Sequence, residues 1–160
     1  MAVLSEEQSM LRDAARTWTQ EKSPVTAFRK VRDSKNELGF DAAVWSEMGE
    51  MGWAGVIVPE EFGGSEFGYV GLGLILEETG RTLTASPLLA TALVGASALV
   101  LGGNQAQKEA WLPKIAAGEA VVTLAVDEGA HHHPERTALA SLRPDWARHA
   151  PGCSMLSCSS

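Results

Sequence analysis

The chain has 160 residues, 45% of them apolar and 21% charged, a globular composition sized for one domain that excludes a disordered chain. A formal charge of -7 excludes a general nucleic-acid binder, which needs a basic face, and leaves no polybasic surface for anionic lipid. The longest apolar stretch, Pro87 to Gly103, is interrupted by Thr91, Ser97 and glycines and falls short of the roughly 20 residues that span a bilayer.

In chain order, Ser5 with Gln8 three residues on predicts a capping box opening a first helix. Leu4, Leu11, Ala15 and Trp18 fall on one face of that helix, and Ser23-Pro24 ends it. Val25, Phe28 and Val31 predict a short second helix or a turn, with Arg29, Lys30, Arg32 and Lys35 forming a basic, solvated face beside it. Asp41 caps a third helix whose stripe is Val44, Trp45, Met48 and Met51, closed by Gly49 and Gly52. Trp53 to Pro59 reads as extended, and Glu60 to Gly64 as a loop.

Tyr69 to Thr82 is an amphipathic helix with Leu72, Ile75, Leu76, Thr79 and Leu83 on one side. Glu77 and Arg81 stand at i,i+4 in the favourable order, and Glu78 reads as a second surface glutamate. Pro87 to Leu101 is apolar nearly all round, the pattern of a helix central to a bundle or walling an apolar cavity. Asn104 and Gln107 predict another capping box, and the helix they open ends or kinks at Pro113, with Gly118 as a stop. Val121 to Val126 is a short β-branched run and the one convincing strand.

Residues 139–160 have neither helical nor strand period, and they hold both cysteines, Cys153 and Cys158, which form no framework for a core. Residues 1–130 carry a net -8 and residues 131–160 a net +1. The expected organisation is a helical domain over 1–120, the start of a β domain over 121–138 and an irregular tail over 139–160. A frame change or truncation after about Ala140 accounts for the altered charge and lost periodicity. The opening residues lack the layout of a signal peptide, so a cytoplasmic location is expected.

Three segments carry a family likeness. They are Met51-Gly52-Trp53-Ala54-Gly55-Val56-Ile57-Val58-Pro59-Glu60-Glu61-Phe62-Gly63-Gly64, then Leu76-Glu77-Glu78-Thr79-Gly80-Arg81, then Gly103-Asn104 followed by Gln107 to Glu119. With these in order, the chain from about Leu4 to about Glu128 resembles the N-terminal helical domain of the flavin-dependent acyl-CoA dehydrogenases. The resemblance implies an all-α, up-and-down helical bundle with a short terminal strand, FAD as cofactor and an acyl-CoA thioester as substrate. It also implies homo- or hetero-oligomers, and neither nucleic-acid nor membrane partners.

In the family a glutamate base in the C-terminal region takes the α proton, and no glutamate of this chain matches it. Leu124, Val126 and Asp127 match positions where the family approaches the flavin. The family's apolar-Thr-Glu-Pro run and its Gly-Ser-Asp are replaced by Val126-Asp127-Glu128-Gly129-Ala130 and His131-His132-His133. An Asp in place of Thr keeps an acceptor and loses a hydroxyl donor. Ala90 and Val94 match the helix that borders the acyl-chain pocket, and a plain core role for that helix stands beside the pocket role.

The expected function is therefore the N-terminal part of an FAD-dependent acyl-CoA dehydrogenase, inactive alone. The alternatives are a non-catalytic helical subunit of a heteromeric enzyme and a residual fragment without a role. The histidine run reads as a solvated loop rather than a metal site, because adjacent residues point in different directions. Trp18, Trp45, Trp53 and Trp111 read as core anchors rather than a base-stacking platform, and Gly63-Gly64 as a turn rather than a phosphate cradle.

Overall fold

The computed structural model describes residues 4–123. Over these the chain is all-α, an up-and-down bundle with α1 at Glu6–Lys22, α2 at Val25–Asp33, α3 at Ala42–Glu50 and α4 at Gly68–Arg81. A π-helical segment, Leu89–Gly95, continues into α5 at Ala96–Gly102, and α6 follows at Gln105–Ala116. No helix among the described residues is long and apolar enough to cross a membrane.

Both capping boxes form. Ser5 and Gln8 exchange side-chain-to-backbone hydrogen bonds at the start of α1, and Asn104 and Gln107 do the same at α6. Asp41 Oδ1 accepts from the Ala43 N–H at the start of α3. Each cap meets an amide that the first helical turn leaves without a partner.

One core runs through the molecule. Among its buried residues are Trp45, Met48, Trp53, Val58, Leu72, Ile75, Leu88, Leu99, Leu112, Ile115 and Val122. α1 packs most extensively against α4. Trp18 meets Trp53 edge to face at 5.0 Å, a geometry that aromatic quadrupoles favour. The indole N–H of Trp45 donates to the Gly118 carbonyl at 2.9 Å. Gly49 and Gly118 allow that approach, since a Cβ on Gly118 would lie 2.9 Å from the Gly49 Cα.

Several sequence expectations are corrected. Trp53 to Pro59 is not extended: Gly52 takes φ +73°, and Trp53–Gly55 forms a 3-10 turn. Carbonyls of Gly55, Val56 and Val58 then accept from the amides of residues 65–68 as the loop folds back. That satisfies a buried backbone without a sheet. Pro113 does not end α6, and the helix runs on to Ala116.

Leu83 does not join the buried side of α4. It stands beyond the helix end at φ +54° and is 53% exposed. The apolar segment after Pro87 is not buried all round, for Leu89 and Leu101 face outward. The expected strand is not seen as a ladder among the described residues: Val121 makes an isolated bridge, and residues 124–126 lie outside them.

Glu78 is the largest departure. It is 2% exposed, not a surface residue. Its carboxylate receives two hydrogen bonds from Arg16 of α1, at 2.9 and 3.3 Å, and Arg81 Nε lies 3.5 Å away. Neighbouring Glu77 stays outside and pairs with Arg81.

Candidate functional site

The π segment and its surroundings form the candidate site, because they hold the two residues assigned to the acyl chain and the entry to those assigned to the flavin. The Thr91 amide bonds the Pro87 carbonyl at 2.8 Å before the wider π turns begin. Leu88, Thr91, Ala92, Gly95 and Ala96 turn inward and are buried. Leu89 is exposed, and Ala90, Leu93 and Val94 are half-buried. The sequence carried no signal for the π geometry, whose short insertions into helices recur at functional sites.

The segment also holds the chain that follows α6. Thr91 Oγ1 accepts from the buried Val122 N–H at 3.2 Å. Gly95 lets Val122 lie close, since a Cβ there would be 3.0 Å from Val122 Cγ1. Val122, two residues before Leu124, is therefore docked on the segment that carries Ala90 and Val94. Leu124, Val126 and Asp127 themselves lie outside the described residues, as do His131, His132 and His133.

Pro87 to Gly103 contains no titratable side chain. Ala90, Leu93 and Val94 can offer an apolar, shaped surface to a hydrocarbon chain, but they cannot move a proton. Tyr69 of α4 braces α5 from the side through a 3.1 Å hydroxyl contact with Ser97.

Glu60, Glu61 and Glu78 do not supply a base to this surface. Glu60 and Glu61 are exposed on a 3-10 turn. The hydrogen bonds from Arg16 hold the Glu78 carboxyl below its ordinary pKa; burial opposes this, and the charges of Arg16, Arg81 and Arg12 add to the lowering. A carboxylate stabilised in this way is a weakened proton acceptor. Among the described residues no group of three or more His, Cys, Asp or Glu is placed to hold a metal ion.

Comparison with known proteins bears on the site as a whole. The sequence model for the acyl-CoA dehydrogenase N-terminal domain matches residues 5–119. The chain is 36% identical to the mitochondrial isovaleryl-CoA dehydrogenase of Pongo abelii over 127 residues, which cover 78% of this chain and 30% of that protein. It is 30% identical over 146 residues to acyl-CoA dehydrogenase FadE12 of Mycobacterium tuberculosis, covering 89% of this chain and 37% of that one.

Among solved structures, the acyl-CoA dehydrogenase of Geobacillus kaustophilus superposes with a TM-score of 0.67 at 27% identity, over 81% of this chain and 33% of its own. A Bacillus anthracis acyl-CoA dehydrogenase complexed with FAD superposes with a TM-score of 0.70 at 26% identity, over 81% of this chain and 22% of its own. The chain spans about a third of the length of the curated relatives it matches. It belongs to the acyl-CoA dehydrogenase family, of which residues 5–119 form the N-terminal domain.

Proposed function

We propose that this chain supplies the N-terminal helical wall of an acyl-CoA-binding flavoenzyme, with Ala90 and Val94 lining the path of the acyl chain. The observation that carries this reading is the half-buried, uncharged π segment Leu89–Gly95, which holds Val122 and so positions the chain leading toward Leu124, Val126 and Asp127. Those three residues are assigned to the flavin face by their sequence match alone. The parent reaction is α,β-dehydrogenation of an acyl-CoA thioester, for which FAD supplies the hydride acceptor. This chain contributes shape and exclusion of water, while the base that takes the α proton belongs to the C-terminal region of such an enzyme.

On its own the chain is expected to hold FAD weakly and to turn over no substrate. The test has two arms. Stoichiometric flavin absorbance in the purified chain, with bleaching on addition of acyl-CoA, would sink the inactivity. In the second arm, residues 1–120 replace the corresponding domain of the Geobacillus kaustophilus enzyme. The chimera should retain flavin and substrate-dependent bleaching, and Ala90→Phe or Val94→Phe should lower activity on long acyl chains more than on short ones. An equal effect at every chain length removes these residues from the acyl path.

A second reading, a non-catalytic subunit of a heteromeric enzyme, draws on the departure from the family pattern at residues 127–133. Co-purification with a flavin-bearing partner chain would favour it over the first.

A further inference from the structure

A helix surface offers few free backbone acceptors, because its carbonyls are taken by its own amides. A chain laid on such a surface must find another partner for each buried N–H. Val122 meets that condition. It is 1% exposed, and the acceptor for its N–H is a side chain, Thr91 Oγ1 at 3.2 Å, from a residue 31 positions away. Thr91 is itself fully buried, so bulk water does not compete for the hydroxyl.

Gly95 acts at the same point from the same segment. A Cβ there would lie 3.0 Å from Val122 Cγ1, 3.1 Å from its Cβ and 3.2 Å from its carbonyl oxygen. Those separations are tighter than side chains ordinarily tolerate, so a glycine is what lets Val122 come within hydrogen-bond reach of Thr91. One residue supplies the acceptor and the other supplies the room.

The residues on either side show what the contact decides. Val121 is half-buried, Val122 buried and Thr123 exposed. In extended backbone a slip of one residue exchanges the two sides of a run. Apolar burial alone would not prevent that slip here, because Val121 would bring the same side chain to the place of Val122. A hydrogen bond to one amide does prevent it. We infer that Thr91 is a positioning residue: its hydroxyl, with the room left by Gly95, fixes the register in which the chain after α6 leaves the helical wall. The contact stands on geometry alone, whereas what the register serves rests on the proposed function, in which the chain beyond Val122 approaches the reaction centre. Thr91 acts there only through Val122, since its hydroxyl is turned away from the acyl path.

The test has two arms. The first follows amide hydrogen exchange in the full ¹⁵N-labelled chain. Thr91→Val keeps the shape of the side chain and removes the acceptor, and it should speed exchange at Val122 by about tenfold beyond any change at Leu112 and Ile115. Thr91→Ser should restore protection to within about twofold, and Gly95→Ala should reproduce the Thr91→Val result. A change at Val122 no larger than that in the core overturns the inference and leaves Thr91 a packing residue. In the second arm, residues 1–123 replace their counterpart in the Geobacillus kaustophilus enzyme. Thr91→Val should then lower kcat by about tenfold with KM for acyl-CoA moving less than about twofold, and Thr91→Ser should recover kcat. An unchanged kcat overturns the positioning role. If Ala90→Phe and Val94→Phe fail their chain-length test while the Val122 result holds, the thioester reading falls and the register contact remains.

Discussion

Glu78 shows what a single buried charge does in this fold. It lies between α1 and α4, and its partner Arg16 is 62 positions away in sequence. Because the folded-state pKa is lowered, the ionised carboxylate stabilises the fold above the unfolded carboxylate range near pH 4.5. That contribution disappears as pH falls through the lower, folded value. Urea unfolding of Glu78→Gln should therefore show a lower midpoint at pH 7 and a shallower loss of stability between neutral and acid pH than the parent. Parallel pH profiles for the two proteins would refute the assignment. Glu78→Ala should cost about 1–3 kcal/mol at pH 7, since it removes hydrogen bonds to a charged group.

Two glycines give opposite expectations at the same scale. A Cβ on Gly64 would lie 2.0 Å from the Val58 carbonyl oxygen, in backbone that cannot yield cheaply. Gly64→Ala should destabilise by about 3 kcal/mol through overpacking. Gly73 is exposed on α4, with no atom within 4 Å of its would-be Cβ. Gly73→Ala should instead stabilise the chain by about 0.5–1 kcal/mol by reducing unfolded-state freedom and favouring the helix. Paired thermal melts would separate the two signs.

At the level of elements, the helix starts were legible because a cap acts through residues three positions apart. Asn104→Ala should cost about 1 kcal/mol, measured as a drop in urea midpoint with an unchanged slope. A changed slope would mean that more than the α6 cap had been lost. Trp53 to Pro59 was not legible, since a short apolar run reads alike as a buried strand or a buried turn. The choice was made by residues 65–68, whose amides take the carbonyls of Gly55, Val56 and Val58. Pro113 misled for a related reason. A proline removes one amide and crowds one carbonyl, and α6 nonetheless runs three residues past it, with Ile115 and Ala116 buried in the core.

Over the whole molecule, elements distant in sequence share one core. Ala15 of α1, Trp45 and Met48 of α3, Ile75 of α4 and Leu112 of α6 belong to the same buried cluster. Urea unfolding should therefore be a single transition in which tryptophan fluorescence and far-ultraviolet circular dichroism coincide. Trp18, Trp45 and Trp53 report from that shared core. Non-coincident curves would show that α2, none of whose residues is fully buried, unfolds apart from the rest.

The amino-acid sequence by itself determined the capped starts of α1, α3 and α6 and the family, because these depend on signals a few residues long repeated in a fixed order. It also marked Ala90 and Val94, although the match carried no geometry with it. The tertiary structure alone decided that Glu78 is buried against Arg16, that the segment after Pro87 opens into π turns, and that Thr91 there takes the amide of Val122. Each of these depends on which surfaces meet across long sequence separations, and burial, with the charge pairing it enforces, exists only once they have met.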